Sequence, residues 1–86
     1  MARLLLTATA KTELSELPQP TQESVADSLD LLAVEPRRYG YQLLGDLAGF
    51  WACRVPGNYR ITYRIEGKND AEVIVYSIRH RSRAYV

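Results

Sequence analysis

Leu4-Leu5-Leu6 is an apolar run without alternation, ahead of a Thr/Ala cluster, which is the pattern of a short buried strand. Thr7 or Thr9 then stands where a helix N-cap is needed. Ala10, Leu14 and Leu17 follow at spacings of four and three, one apolar stripe of a helix that Pro18-Gln19-Pro20 ends. Thr21 is placed to cap a second helix, whose buried stripe is Val25, Ala26, Leu29, Leu32 and Ala33. Pro36 closes that helix, because the residue before a proline is pushed out of the α region. Two helices so closely joined form a hairpin, and their apolar stripes need a flat surface to cover.

The period changes from helical to alternating in the second half. Arg37 to Gly49 reads as a loop, with Gly40, Gly45 and Gly49 as flexible points and Leu43, Leu44 and Leu47 tucking it down. Phe50 to Val55 is a strand, Pro56-Gly57-Asn58 a turn, Tyr59 to Glu66 a second strand, Gly67 to Asp70 a turn and Ala71 to Arg79 the last strand. Alternation puts Tyr59, Ile61, Tyr63 and Ile65 on one face, and Arg60, Thr62 and Arg64 on the other. In the last strand Val73, Val75, Ser77, Arg79 and Arg81 share one parity, and Ile74, Tyr76, Ile78 and His80 share the other. These elements predict an α+β fold in one small domain spanning residues 1–86, ordered β-α-α-β-β-β. Its antiparallel sheet carries a helical hairpin on one face and leaves the other partly open. There is no internal repeat and no low-complexity segment.

Composition changes this picture little. A chain of 86 residues with 47% apolar and 24% charged residues suits one modest core. The single cysteine, Cys53, makes no internal disulfide, so the fold does not depend on an oxidising compartment and a cytoplasmic location is expected. "MARLLLTATA" imitates a signal peptide, but its apolar run from Leu4 to Leu6 is far shorter than the roughly 7–15 residues of a true h-region. No stretch approaches membrane-spanning length, and no membrane partner is expected.

Charge is more telling in its distribution than in its total of +1. Residues 1–43 carry four Lys/Arg against six Asp/Glu, and residues 44–86 carry seven against four. The second half is therefore where a polyanion or an acidic partner is expected.

Few reactive groups support other chemistry. One Cys and one His cannot fill a tetrahedral metal site, so neither a metal nor another cofactor is expected. No nucleophile-elbow glycine pattern surrounds Ser77 or Ser82, and no glycine-rich phosphate loop is present. What remains is arginine. Arg54, Arg60, Arg64, Arg79, Arg81 and Arg83 lie on or beside the strands, joined by His80 and Tyr85. Guanidinium groups grip phosphate with forked hydrogen bonds at any relevant pH, which makes nucleic acid the first ligand to consider. Each also has a structural reading. Arg64 is a cross-strand partner for Glu66 or Glu72, and Arg83 a solvated tail residue. His80 shares parity with Ile78 and Tyr76, as a packed or hydrogen-bonded residue would. Tyr63 and Tyr76 read as core rather than base-stacking platforms, Trp51 as an anchor for the loop, and Cys53 as a small buried hydrophobe. Arg54 stands evenly between structure and binding.

"LPQP" after the first helix, then "YQLLGDLAGFWACRVPGNYRITYRI" and "VIVYSIRHRSRAY", together resemble the RelE/ParE superfamily of bacterial toxin-antitoxin toxins, and its RelE branch in particular. The recurring elements are a Leu-x-Gly-x-x-x-Gly loop, an Arg-Val-Gly-x-Tyr-Arg-x-x-Tyr hairpin and a terminal His-Arg-x-x-x-Tyr. Here they correspond to Leu44–Gly49, to Arg54–Tyr63 with one extra residue at Pro56, and to His80, Arg81 and Tyr85. The resemblance implies a fold like that of small microbial ribonucleases. It also implies a cognate antitoxin that wraps and silences the protein in a toxin-antitoxin hetero-oligomer.

In the RelE branch the resemblance further implies cleavage of mRNA in the ribosomal A site, by attack of a ribose 2′-hydroxyl on the adjacent phosphate. A ParE-like relative would instead poison DNA gyrase, and an inactive relative would act in autoregulation with its antitoxin. By the same resemblance Arg60 and Arg81 hold phosphate, and Tyr85 orients the 2′-hydroxyl, stacks on a base or helps move a proton. Arg54, Arg79 and Arg83 supply supporting RNA-binding charge. His80 is the better intrinsic proton carrier, with an unperturbed pKa of roughly 6.5 against roughly 10 for tyrosine. Two departures stand out. Phe50, Trp51, Ala52 and Cys53 occupy the strand where the best-known RelE-type ribonuclease carries a pair of lysines, and Val86 replaces the basic residue after the terminal tyrosine.

Overall fold

The structure, a computed structural model, describes the backbone of residues 1–83 and the side chains of residues 1–82. Strand β1 spans Arg3–Leu6, and Thr7 begins helix α1 (Ala8–Ser15) by accepting the Ala10 N–H on its hydroxyl at 3.1 Å. That bond satisfies one of the first-turn amides that lack a helical partner. Helix α2 (Gln19–Val34) starts two residues before the Thr21 cap read from the sequence, with Pro18 at its N-cap and Pro20 in its first turn. A proline there costs no hydrogen bond, since the first-turn N–H groups are orphaned in any case. The Gln22 side-chain amide reaches back to the carbonyls of Leu14, Ser15 and Leu17 at 3.1, 3.3 and 3.0 Å. It thereby closes the end of α1 and fixes the hairpin angle.

The sheet has five strands in the order β1-β5-β4-β3-β2, where β2 is Tyr41–Gln42, β3 Trp51–Val55, β4 Tyr59–Glu66 and β5 Glu72–His80. Strands β2 to β5 pair antiparallel as the meander predicts, and the short β2 forms inside the expected loop. The all-antiparallel expectation is corrected at β1, which runs parallel to β5 with Leu4 opposite Val73 and Leu6 opposite Val75. The physical reason is the helical hairpin: it is a crossover long enough to return the chain in the same direction, which antiparallel neighbours never need. Leu4–Leu6 is accordingly a half-buried edge strand, not a fully buried one.

Val25, Leu29 and Leu32 of α2 and Ala10 of α1 close over Cys53, Val55, Ile61, Tyr63, Val73, Val75 and Ile78. Leu32 is fully buried, and burial of such a side chain contributes about 1.5–3 kcal/mol. Ala26, expected in the buried stripe, is exposed.

The simple alternation read along the last strand fails at Tyr76. Thr62 pairs with Ser77 but Tyr63 pairs with Val75, so Tyr76 is the extra residue of a β-bulge. Val73 and Val75 face the helices before it and Ile78 faces them after it, which no single period-2 phase allows. Ser77 and Tyr76 lie off the core, and Tyr76 is exposed.

Where β1 stops, the free edge of β5 is covered by a side chain. Glu13 of α1 accepts the Ile78 N–H at 3.0 Å through one carboxylate oxygen and the Arg79 guanidinium at 2.6 Å through the other. The loop after α2 is pinned in a similar way. Arg37 makes a forked pair with Asp70 at 2.7 and 3.0 Å, and its guanidinium lies 5.5 Å from the Trp51 ring centre. The Arg37 hydrogen bond holds the Asp70 carboxyl below its usual range. Beside it the buried Tyr63 hydroxyl donates to the Pro36 carbonyl at 2.7 Å. Gly40 is there for space: a Cβ at that position would lie 2.0 Å from the Tyr63 hydroxyl oxygen.

Candidate functional site

The open face of the sheet collects arginine by register. Arg54 on β3 sits directly opposite Arg60 on β4, and Arg60 opposite Arg79 on β5. Like charges opposed across a ladder are destabilising, by about 0.2–1 kcal/mol per pair, so such a row implies a compensating interaction. Glu13 supplies one at Arg79, and Arg54 and Arg60 line a cavity. The tight Pro56-Gly57-Asn58 turn brings the end of β5 to them. Gly57 (φ 92°) and Asn58 (φ 66°) adopt the left-handed conformation that glycine and asparagine tolerate best. The Asn58 carbonyl then accepts the Arg81 N–H at 2.6 Å.

The result is a cavity of about 270 Å³ lined by Arg54, Val55, Asn58, Tyr59, Arg60 and Arg81. Arg54, Arg60 and Arg81 bring three guanidinium groups to it, and no carboxylate is among its described lining residues. The Arg54 guanidinium lies 5.1 Å from the Tyr41 ring centre, a cation–π contact that orients it without neutralising it. A phosphate held here would meet fork-shaped donors from more than one side.

A second cavity, about 220 Å³, lies across Tyr59 and is lined in part by Glu13, Glu16, Arg79 and His80. His80 is exposed and packs edge-on to the Tyr59 ring at 5.4 Å. Its Nδ1 lies 3.1 Å from the Ser82 hydroxyl and accepts the Ser82 N–H at 3.4 Å. A backbone N–H can only donate, so the proton of the neutral imidazole sits on Nε2.

Of the residues singled out from the sequence, Arg54, Arg60 and Arg81 come together in one cavity. His80 stands beside it on the far side of Tyr59, and Arg79 is drawn away to Glu13. Arg64 pairs with Glu66 at 3.2 Å, as read from the strand. Tyr85 and the side chain of Arg83 fall outside the described residues. Among those described, no group of three His, Cys, Asp or Glu could hold a metal ion, and no helix is long and apolar enough to cross a membrane. Tyr59, Asn58 and Glu13 were not legible as site residues. Parity had placed Tyr59 among core residues, Asn58 acts through its backbone, and a carboxylate on a helix carries no signal of the strand it will meet.

The family model for the ParE toxin of the type II toxin-antitoxin system parDE matches residues 4–85. Among solved structures, the RelBE2 toxin-antitoxin complex from Mycobacterium tuberculosis includes a chain 32% identical to this one. The match covers 93% of this chain and 98% of that one, with a TM-score of 0.82. The YoeB/ParE toxin from Agrobacterium tumefaciens is 22% identical over 93% of this chain and 98% of its own, with a TM-score of 0.79. The isolated RelE toxin of E. coli is 20% identical over 99% of this chain and 89% of its own, with a TM-score of 0.82. No curated protein sequence matches. With nearly the whole chain matched by the family and the fold shared with its solved members, this protein belongs to the RelE/ParE superfamily of type II toxin-antitoxin toxins.

Proposed function

We propose that this toxin is an endoribonuclease that cuts mRNA in the ribosomal A site and so stops translation. The observation that carries the reading is the opposition of Arg54 and Arg60 across the ladder, with Arg81 lining the same cavity. That arrangement is suited to a phosphate whose charge grows during reaction. In the step itself a ribose 2′-hydroxyl loses its proton, its oxygen bonds to the neighbouring phosphorus, and the P–O5′ bond breaks. The 5′-oxygen takes up a proton, leaving a cyclic phosphate and a free 5′-hydroxyl. Arg60 and Arg81 hold the phosphoryl oxygens, with Arg54 as added charge. His80 and Tyr85 are the candidates for proton movement and for placing the 2′-hydroxyl. Solved relatives that are themselves toxin-antitoxin complexes support a cognate antitoxin as the resting partner.

A gyrase-binding toxin is the second reading, favoured by the ParE description of the matching family and by the lack of lysine among Phe50, Trp51, Ala52 and Cys53. Primer extension on a translated message after induced expression separates the two. New 5′ ends within codons are expected, whereas intact messages with accumulating gyrase-linked DNA breaks would overturn the ribonuclease reading. Arg60→Ala and Arg81→Ala should each abolish growth arrest while antitoxin binding persists. Full toxicity in both would show that the cavity is not the site.

A further inference from the structure

Beyond the arginine cavity, the open face of the sheet carries a second feature that the reaction as described does not use. The bulge at Tyr76 turns an aromatic side chain away from the core and leaves it 36% exposed. Its ring meets Phe50 at 5.2 Å and 78°, an edge-on contact in which one ring keeps both faces clear of the other. The Arg64 guanidinium lies 5.2 Å from the Phe50 ring centre and is held by Glu66 at 3.2 Å, so its plane is fixed beside the aromatic pair. Between this cluster and the arginines runs one cross-strand row of small residues, Ala52, Thr62 and Ser77. All three are buried, yet both helices pack on the opposite face. The arginines and the aromatic pair therefore flank this closed row on the same face of the sheet.

We propose that Phe50 and Tyr76 form a nucleobase platform that stacks a base of the RNA strand whose phosphate is held by Arg54, Arg60 and Arg81. The proposal rests on the ribonuclease reading and adds a second subsite to it. Phe50 immediately precedes β3, four residues before Arg54, roughly 13 Å at the rise of an extended chain. The stacked base thus belongs to a nucleotide flanking the one that is cut. The arginine-lined cavity on the same face selects a nucleic acid strand as the occupant, since a polyanion with planar bases complements both the cations and the rings. Stacking on an aromatic ring is tolerant of base identity. The platform therefore contributes affinity and strand position rather than a strict sequence requirement.

The test uses ribosomes carrying a defined message and single-turnover cleavage by antitoxin-free toxin. Tyr76→Leu keeps an apolar side chain and removes the ring, Tyr76→Phe keeps the ring, and abasic nucleotides are placed one at a time around the cleaved codon. Tyr76→Leu should raise the half-saturating toxin concentration by roughly 5- to 100-fold, the range of one lost base stack, and Tyr76→Phe should restore it. One abasic position should slow the parent protein and have no further effect on Tyr76→Leu. Unchanged cleavage by Tyr76→Leu, or abasic effects that multiply with it, would overturn the platform while leaving the ribonuclease reading intact. Loss of antitoxin binding by Tyr76→Leu with cleavage unaltered would overturn it too, assigning the face to a protein. No cleavage by the parent protein would refute the ribonuclease reading itself.

Discussion

Tyr63 and Gly40 should be energetically coupled, and the coupling can be worked from two distances. The Tyr63 hydroxyl is buried and donates to the Pro36 carbonyl at 2.7 Å. Tyr63→Phe removes one bond and strands a buried acceptor, at a cost of about 1–3 kcal/mol. Gly40→Ala would place its Cβ 2.0 Å from the Tyr63 hydroxyl oxygen, 2.8 Å from the Ala52 carbonyl oxygen and 3.0 Å from the Tyr63 ring carbon. Relieving that contact should cost about 1–3 kcal/mol, as overpacking does. Once Tyr63→Phe has removed the hydroxyl, the shortest of the three contacts is gone and only the two longer ones remain. The double variant should therefore be more stable than the sum of the single losses allows, by about 1 kcal/mol. With a urea slope of about 1 kcal/mol/M, each single change shifts the unfolding midpoint by about 1–3 M. Urea titration of the four proteins followed by circular dichroism measures the cycle. Losses that add to within about 0.5 kcal/mol would refute the close approach and return Gly40 to the role of a flexible point.

Burial pushes both the Cys53 thiol and the Tyr63 phenol up from their ordinary pKa values, so each stays neutral in the fold where the unfolded chain ionises. The unfolded state then binds fewer protons, and stability should fall as pH rises above roughly 8.5 for the thiol and again above roughly 10 for the phenol. Cys53→Ala should flatten the first decline in urea titrations between pH 7 and 10, and an unchanged slope would reject burial as its cause. Glu13→Ala, which strips the Ile78 N–H and Arg79 of one shared partner, should cost about 2 kcal/mol of unfolding free energy. A loss below about 0.5 kcal/mol would mean that the edge is satisfied in another way. Thr62 buries a hydroxyl that has no partner among the described residues, and Thr62→Val should raise stability by about 1 kcal/mol in the same assay. A loss of that size would reveal a bond to the hydroxyl. Arg54→Gln should be stabilising by a few tenths of a kcal/mol at low ionic strength and neutral at high salt, because it removes one of two opposed charges. A loss at low salt would refute the repulsion.

The elements that depend on local pattern were legible. Thr7 as a cap, the Pro56-Gly57-Asn58 turn and the whole of β4 lie where spacing and turn chemistry put them. Parity on β4 correctly separated Arg60 and Arg64 from the core tyrosines. What could not be read depends on contacts between distant segments. The parallel pairing of β1 with β5 is decided by the crossover, and β2 exists because Tyr41 finds Ala52. The bulge at Tyr76 inverts the phase of β5, so a tyrosine read as core lies exposed on the open face. Arg54, Arg60 and Arg81 could be read together as lining one candidate cavity because cation type and register coincide. The withdrawal of Arg79 depended on Glu13, 66 positions away.

The strand order also sets a sequence of events during synthesis. Strand β5 lies between β1 and β4, yet it is the last of the five to leave the ribosome. Until then β1 has no neighbour to pair with, the helices lack Val73, Val75 and Ile78 to cover, and Arg81 is absent from the cavity. Closure waits for contacts of high sequence separation, which form slowly. A nascent chain therefore lacks the arginine cavity through most of its translation and gains it in one late step. Those late pairings set the interval in which a silencing partner can arrive first.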